Sequence, residues 1–207
     1  IARAKGELVE ALPADGIAVL NADDPRVAAM AARTSARVLT FGARADVRAE
    51  ALTLDAGRAR FRLVTPVGSA PVALRLVGAH HVGNALAAAA VACELGGTPD
   101  AMAAALSAAS PASRWRMEVT DRPDGVTVVN DAYNANPDSM AAALRALAAL
   151  GDGRRTWAVL GPMRELGPES AAAHAEVATL AEELGIDELV TVDGVEYGAG
   201  RPVADTA

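Results

Sequence analysis

The sequence predicts an α/β fold, in which helices cross over layered β-sheets. Two short apolar runs, at 17–20 and 156–160, are typical of buried strands, and a helical segment follows each of them. Strands that alternate with helices favour a layered sheet with crossover connections. Between these regions, residues 46–77 alternate polar and apolar side chains across two turn signals, which predicts a half-exposed antiparallel meander.

The predicted elements follow in order along the chain. Residues 1–12 form a helix, and strands at 17–20 and 38–41 flank a second one. After the meander, an alanine-rich helix ends at Gly96-Gly97, and a further helix follows it. The second half alternates strands at 126–129, 156–160 and 189–192 with helices from Pro137 and Pro168, as in a small doubly wound unit.

The stretch 110–113, with the sequence Ser-Pro-Ala-Ser, has the composition of a linker. It predicts two domains, at 1–112 and 113–207, in this chain of 207 residues. The chain has no initiator Met and stops just after a strand-like segment, so we expect a fragment of a longer protein.

Composition narrows the classes of function. The net charge is −7 and no basic run occurs, which argues against nucleic acid and anionic membranes as partners. No apolar run is long enough to span a bilayer. The single cysteine, Cys93, excludes an internal disulfide framework and fits a reducing cytoplasm.

The chain is organised around residues 126–140, which predict a buried strand, a polar elbow and a helix start. Asn136 is a good N-cap, Pro137 suits the first helical position, and Asp138 complements the helix dipole. Open α/β sheets bind ligands at the carboxyl ends of their strands, although an ordinary well-capped loop has the same pattern. The polar residues at this strand end are Asn130, Asp131, Tyr133 and Asn134.

Several common catalytic motifs are missing from the sequence. Lys5 is the only lysine, and its surroundings exclude a phosphate-cradling Gly-x-x-x-x-Gly-Lys-Ser/Thr loop. The chain has no Gly-x-Gly-x-x-Gly run, no zinc-spaced Cys/His cluster and no Gly-x-Ser-x-Gly elbow. Dinucleotide oxidoreductases, zinc enzymes and serine hydrolases of those types are therefore disfavoured.

Two sets of side chains are candidates for binding a nucleotide. His80 and Asn84 lie four residues apart at a helix opening and share a face, where Asn can bond a purine edge. Arg116 has a permanently charged fork that suits phosphate, and Asp131 can accept from ribose hydroxyls. Plainer roles stay open: a satisfied helix N-terminus, a surface ion pair from Arg116 to Glu118 or Asp131, and an Asx-turn at Asp131.

Several motifs, in order, resemble the Mur ligases. They are a Gly-x-His-x-x-x-Asn-Ala-Leu-Ala-Ala run at 78–88, Arg-Met-Glu at 116–118, and the polar elbow with the helix start that follows it, at 130–140. The Asp-Ala-Tyr-Asn-Ala-Asn-Pro run of that elbow, and Gly-Pro-Met-Arg-Glu-Leu-Gly at 161–167 with His174 beyond it, resemble in particular the members that add D-Ala-D-Ala. The likeness covers nearly the whole chain, since the patterns at 2–8 and 21–24 fit the family's central domain.

The resemblance implies a cytoplasmic ligase that uses ATP and Mg²⁺. In this family ATP phosphorylates the carboxylate of a UDP-linked peptide, and the incoming amine then attacks the acyl phosphate to form an amide bond. The substrates implied are UDP-MurNAc-tripeptide and D-Ala-D-Ala, and the enzyme is expected to be a monomer. The fold implied is the remainder of a central ATPase domain at 1–112, followed by a truncated Rossmann-like ligase domain at 113–207.

Carried over by position, the resemblance implies a role for each candidate residue. His80 and Asn84 would lie at the adenine, and Asp131 would bind the ribose. Arg116, the one catalytic candidate, would reach the phosphates. The loop near the incoming dipeptide would contain Tyr133, Asn134 and Asn136.

The chain departs from the family at two positions, because His81 stands where Asn is frequent and Pro162 stands where Asp often follows the glycine. The phosphate-binding loop, the metal ligands and the UDP-binding domain are expected upstream, so we expect this fragment alone not to ligate. Two alternatives stay open: another ligase of the superfamily, such as MurE or folylpolyglutamate synthase, or a non-catalytic nucleotide-binding or partner-binding module. Glu165 and His174 are ambiguous, and His174 suits a helix face packed under a loop equally well.

Overall fold

The computed structural model describes residues 1–111, 113–192, 197–198 and 201–203, the last of these for the backbone only. The chain divides into two compact units. The first contains Ile1–Arg75 and Ala79–Ser110, and the second contains Leu76–Gly78 and Pro111–Ala207. Within the described ranges, every helix is too short or too polar to cross a membrane.

The first unit combines a small parallel sheet with an antiparallel one. β1 (Ile17–Asn21) pairs in parallel with β2 (Arg37–Phe41), with Ile17 opposite Arg37. β3 (Arg48–Asp55), β4 (Arg58–Thr65) and β5 (Gly68–Val77) form the predicted meander in that order, with β3 antiparallel to β4. The helices are α1 (Ala2–Glu10), α2 (Pro25–Ala28), α3 (His80–Glu94) and α4 (Pro99–Ala108), and a 3-10 turn covers Ala29–Arg33.

Alternation along β4 builds the core of the first unit. Phe61 and Leu63 point inward and are 4% and 0% exposed. Leu86 and Ala89 of α3 belong to the same buried cluster. Burial of one large apolar side chain contributes about 1.5–3 kcal/mol. α3 therefore packs firmly against the core of this unit, and this packing also fixes the position of its first turns.

The second unit contains a hairpin and a parallel sheet. β6 (Glu118–Asp121) and β7 (Thr127–Asn130) are antiparallel, with Glu118 opposite Asn130. β8 (Trp157–Leu160), β9 (Glu188–Val192) and β10 (Arg201–Val203) form a parallel sheet in that order. The helices are α5 (Pro137–Gly151) and α6 (Ser170–Glu183), and a 3-10 turn at Gly167–Glu169 precedes α6.

The alternation of strand and helix predicted for the second half is present, but its sheet is split. β7 and β8 are connected through α5, yet no ladder joins them among the described residues. They line a groove of about 600 Å³ instead, and Val128 and Val159 are 44% and 64% exposed. Apolar runs show which segments are strands, but they do not show which strand edges meet.

α5 begins as predicted, at an Asn136 cap. The Asn136 Oδ1 accepts a hydrogen bond from the Ser139 N–H at 2.9 Å, and the Ser139 Oγ accepts one from the Asn136 N–H at 3.0 Å. Pro137 occupies the first turn, where its missing N–H leaves no partner unsatisfied. A cap of this type stabilises a helix by about 1 kcal/mol. The cap also fixes the point at which the polar elbow ends.

His174 of α6 is fully buried under the 161–167 loop. Its Nε2 accepts a hydrogen bond from the Met163 N–H at 2.9 Å. Because a backbone amide can only donate, the ring proton lies on Nδ1, which donates to the Ser170 carbonyl oxygen at 2.7 Å. The Tyr197 ring meets the imidazole edge-on at 4.7 Å. His174 is thus a packed helix residue that anchors this loop.

We expect the substitution His174→Leu to destabilise the second unit by about 1–3 kcal/mol, because it leaves the buried Met163 N–H without an acceptor. Urea unfolding of the chain measures this effect. Glu176→Gln, on the exposed side of the same helix, is the matched control and should unfold as wild type does. Equal stability of His174→Leu and wild type would contradict the assigned hydrogen bond.

Candidate functional site

The β6–β7 hairpin places two polar segments of the second unit side by side. Arg116 lies two residues before β6, and Asp131 directly follows β7. Because Glu118 pairs with Asn130, the segments 115–117 and 131–133 are neighbours at one end of the hairpin. The structure therefore brings Arg116, Asp131 and Tyr133 together within one unit.

The segment 115–117 is a strained turn. Trp115 and Met117 have φ values of 62° and 47°, in the left-handed region that residues with a Cβ atom rarely adopt. Each such residue costs about 1–2 kcal/mol relative to a right-handed conformation. Nothing in the residue types Trp and Met signals this conformation in advance, so the sequence did not reveal the turn.

Two hydrogen bonds from the elbow hold this turn. The Asp131 Oδ1 accepts from the Met117 N–H at 2.9 Å, and the Tyr133 N–H donates to the Trp115 carbonyl oxygen at 3.1 Å. The Met117 side chain is 4% exposed and packs in a cluster with Leu150 of α5. The turn is thus fixed on both sides of Arg116.

The Arg116 guanidinium lies over the Tyr133 ring, 4.0 Å from its centroid. Arg116 is exposed, and it forms no ion pair with any of the described residues. The surface pairing with Glu118 or Asp131 that the sequence left open is not formed. Glu118 accepts a hydrogen bond from the Trp115 N–H at 3.4 Å instead. A cation stacked on an aromatic face keeps its N–H groups available to an anion.

Asp131 does not form the Asx-turn that was its plainer interpretation. Its Oδ1 bonds across the hairpin to Met117, whereas the Asx-turn belongs to Asn130, whose Oδ1 accepts from the Ala132 N–H at 3.2 Å. Of the two carboxylate oxygens of Asp131, only Oδ1 accepts a hydrogen bond from the described residues. The second oxygen of this partly exposed carboxylate can accept from a ligand hydroxyl.

The other residues expected near the dipeptide have different surroundings. Asn134 is exposed and lines the groove between β7 and β8, as Asn130 and Asp131 do. Asn136 uses its side-chain oxygen to cap α5. Its presence in the sequence is therefore explained by the helix, whatever further role it has.

His80 and Asn84 lie in the first turns of α3, in the first unit. Both are exposed, and their spacing of four residues places them on one face of the helix. Asn84 lies a full turn into the helix, beyond the position from which a side chain caps it. Helix capping therefore does not explain why an asparagine occupies this exposed position.

His81, next to His80, is half-buried, and its Nε2 is a buried atom without a hydrogen-bond partner among the described residues. The two imidazole rings lie 4.1 Å apart, measured between centroids. Burial, with the charge of His80 as a second cause, lowers the pKa of His81 to about 4. His81 is therefore neutral at physiological pH, with one ring nitrogen that a polar ligand edge would satisfy.

The described residues contain no group of three His, Cys, Asp or Glu side chains that could hold a metal ion. Glu165, whose role was ambiguous, adopts a left-handed φ of 65° in the loop that His174 anchors, and it is exposed. The site features of the described chain are thus an exposed arginine, a carboxylate and polar amides.

Comparisons with known proteins show the family to which the chain belongs. A model of the Mur ligase middle domain matches residues 1–92, and a model of the Mur ligase glutamate ligase domain matches residues 115–206. The UDP-N-acetylmuramoyl-tripeptide–D-alanyl-D-alanine ligase of Mycobacterium tuberculosis H37Rv is 50% identical over 211 residues, which cover 99% of this chain and 40% of that protein. The enzyme of the same name from Escherichia coli K12 is 37% identical over 217 residues, covering 99% of this chain and 47% of its own length.

Solved structures give the same result. A crystal structure of MurF from Acinetobacter baumannii matches with a TM-score of 0.85 and 31% identity, covering 98% of this chain and 45% of that one. The chain therefore spans less than half the length of these relatives. With matching models for both units and relatives that align along the whole chain, this protein belongs to the Mur ligase family.

Proposed function

We propose that the natural protein containing this chain is an ATP-dependent ligase that adds D-Ala-D-Ala to UDP-MurNAc-tripeptide. The main support is the exposed guanidinium of Arg116, fixed beside the Asp-Ala-Tyr-Asn-Ala-Asn-Pro elbow, in a chain that is 50% identical to a ligase of that name. We further propose that it acts as a monomer in the cytoplasm, where UDP-linked precursors are made.

The proposed reaction has two steps. The tripeptide carboxylate attacks the γ-phosphorus of ATP, and ADP leaves as an acyl phosphate forms. The amine of D-Ala-D-Ala then attacks the acyl carbon, so that a C–N bond forms, the C–O bond to phosphate breaks and the amine loses a proton. Both steps gather negative charge on phosphate oxygens. A fixed guanidinium stabilises that charge without having to reorganise during the reaction.

Each candidate residue has a proposed place in this scheme. His80 and Asn84 contact the adenine, supported by their shared exposed face on α3. Asp131 accepts from a ribose hydroxyl through its second oxygen, and Arg116 binds the phosphates. Tyr133 and Asn134 contact the incoming dipeptide, and Asn136 holds the end of their loop.

Mg²⁺ is the metal that the family implies for this reaction. The described residues contain no cluster of three His, Cys, Asp or Glu side chains that could hold this ion. When bound, the ion would neutralise phosphate charge beside the nucleotide. This chain contributes Arg116, the side-chain amides and the Asp131 carboxylate that contacts the ribose.

We expect the natural protein to convert ATP to ADP over many turnovers only when both UDP-MurNAc-tripeptide and D-Ala-D-Ala are present. The 207-residue chain by itself should form none, because its single lysine, Lys5, lies in no phosphate-binding loop. A coupled ADP assay measures this. Turnover with glutamate or a diamino acid in place of D-Ala-D-Ala would indicate another ligase of the superfamily, and absence of ATP turnover with every substrate would indicate a binding module.

We expect Arg116→Ala to lower kcat of the natural protein by about 10²–10³-fold, the usual loss when one charge-stabilising donor is removed. Arg122→Ala is the matched control. That arginine is exposed in the turn of the same hairpin and pairs with Asp124. A loss confined to Arg116 supports the phosphate role, whereas equal rates for the two variants would overturn it.

His81 gives the chain a pH dependence that the substitution His81→Asn should remove. Its pKa falls from an ordinary value of 6.5 to about 4 in the folded state, so the unfolded chain takes up the proton first as pH falls. Wild type should therefore lose stability between pH 6.5 and pH 4, and the variant should lose less. Urea unfolding at several pH values measures both. Parallel curves for the two proteins would contradict the assigned burial of His81.

A further inference from the structure

We propose that Asp131 is a positioning residue for Arg116, because its carboxylate fixes the left-handed turn 115–117 that presents the guanidinium. Through its kinetic consequence, this inference rests on the proposed function. It assigns Asp131 a task that contact with a ribose does not include. Its physical basis is the geometry on either side of Arg116.

The turn 115–117 needs a hydrogen-bond partner outside itself. Trp115 and Met117, with φ values of 62° and 47°, flank Arg116 in a conformation that their side chains disfavour. Such conformations persist only where the surrounding structure determines them. Without an external hydrogen bond, the segment would relax toward an extended or right-handed form, and the arginine would move with it.

Asp131 provides this hydrogen bond from a fixed position on the backbone. Its Oδ1 accepts from the Met117 N–H at 2.9 Å, and Asp131 directly follows β7, whose pairing with β6 fixes the backbone. A bond from an amide to a carboxylate is stronger than one between two neutral groups. The Tyr133 bond to the Trp115 carbonyl, at 3.1 Å, supports the other side of the turn.

The position of the turn determines the position of the Arg116 guanidinium. Arg116 lies 4.0 Å from the centroid of the Tyr133 ring and has no ion-pair partner among the described residues. The direction of the Arg116 side chain is therefore set by its own backbone and by the Tyr133 ring beneath it. Tyr133 itself lies two residues after Asp131 in the same elbow. One short segment thus fixes both the base and the stacking surface of the arginine.

The conformation is tested on the 207-residue chain. The sequence has two tryptophans, so Trp157→Phe leaves Trp115 as the only one, within the turn itself. In that background, Asp131→Ala should increase the amplitude of fast Trp115 motion in time-resolved anisotropy by about twofold or more. Asp131→Asn keeps an Oδ1 acceptor without its charge and should stay closer to the parent than Asp131→Ala does, whereas the control Asp138→Ala on α5 should match the parent. A folded Asp131→Ala variant with unchanged Trp115 motion would overturn the proposal.

A measurement without substitution covers the case in which Asp131→Ala does not fold. Hydrogen exchange of the unsubstituted chain should show the Met117 amide protected at least about 10-fold more than the exposed amides of Arg114 and Asp124. An unprotected Met117 amide would mean that the bond to Asp131 is absent in solution, and the proposal would fail on that result alone.

The kinetic consequence is tested in the natural protein. Asp131→Ala should lower kcat about 10-fold or more alone, but less than about 3-fold when Arg116→Ala is already present, because the two changes remove one function. The loss should persist when 2′,3′-dideoxy-ATP replaces ATP, and Asp131→Asn should restore most of it. Additive losses, or a loss that disappears with the dideoxynucleotide, would overturn the proposal. Asp131 would then act on the ribose and not through Arg116. An inactive wild-type protein would overturn the proposed function, and the Trp115 measurement would still decide the conformation.

Discussion

Aspartate carboxylates that accept hydrogen bonds from backbone amides hold the loops of this protein at the ends of its strands. In the first unit, Asp23 accepts from the Ala43 N–H at 3.0 Å, and Asp24 caps α2 by accepting from the Arg26 N–H at 2.8 Å. In the second unit, Asp131 accepts from Met117, and Asp187 accepts from the Thr156 N–H at 2.7 Å. Strand ends leave amides that the ladder no longer pairs, and an ionised carboxylate is a strong acceptor for them.

For Asp187, the same interaction also affects the pKa of the carboxyl group. The hydrogen bonds from Thr156 lower the pKa of Asp187, since they favour its charged form. A depressed pKa of this kind contributes stability above the ordinary range of the carboxyl group and is lost as pH falls through the folded value. The link between Thr156 and Asp187 therefore depends on an ionised carboxylate, and acid weakens it.

A ligase that transfers phosphoryl groups needs cationic and dipolar groups that are already in place. Here a strained turn is stable because one carboxylate and one backbone amide support it from a neighbouring strand end. The acidic overall charge of −7 does not conflict with the proposed binding of a polyanion, because the proposed site depends on one fixed guanidinium and not on a basic patch.

The parts of the molecule that the sequence predicted are those set by local chemistry. The antiparallel meander follows from alternation along 46–77, and the start of α5 follows from Asn136 and Pro137, whose preferences act within a few residues. The α/β class and the resemblance to the Mur ligases also follow from the order of short motifs, and the family is confirmed.

The parts that the sequence did not reveal depend on partners distant in the chain. The acceptor of the Met117 N–H is Asp131, 14 residues away, and the amide that selects the tautomer of His174 belongs to Met163, 11 residues away. The separation of β7 from β8 is likewise a matter of which edges meet. Residue types and spacing make Asp131 and His174 residues of interest, but only the folded chain shows which atoms they form hydrogen bonds with.

The most direct test of this account is calorimetric titration of MgATP into the natural protein and three of its variants. Asn84→Ala in the first unit and Arg116→Ala in the second should each raise the Kd by about 10-fold or more, the effect of losing one good hydrogen-bonded or charged contact. Arg122→Ala should leave it unchanged. If either Asn84→Ala or Arg116→Ala bound MgATP as wild type does, the nucleotide roles assigned to this chain would be contradicted.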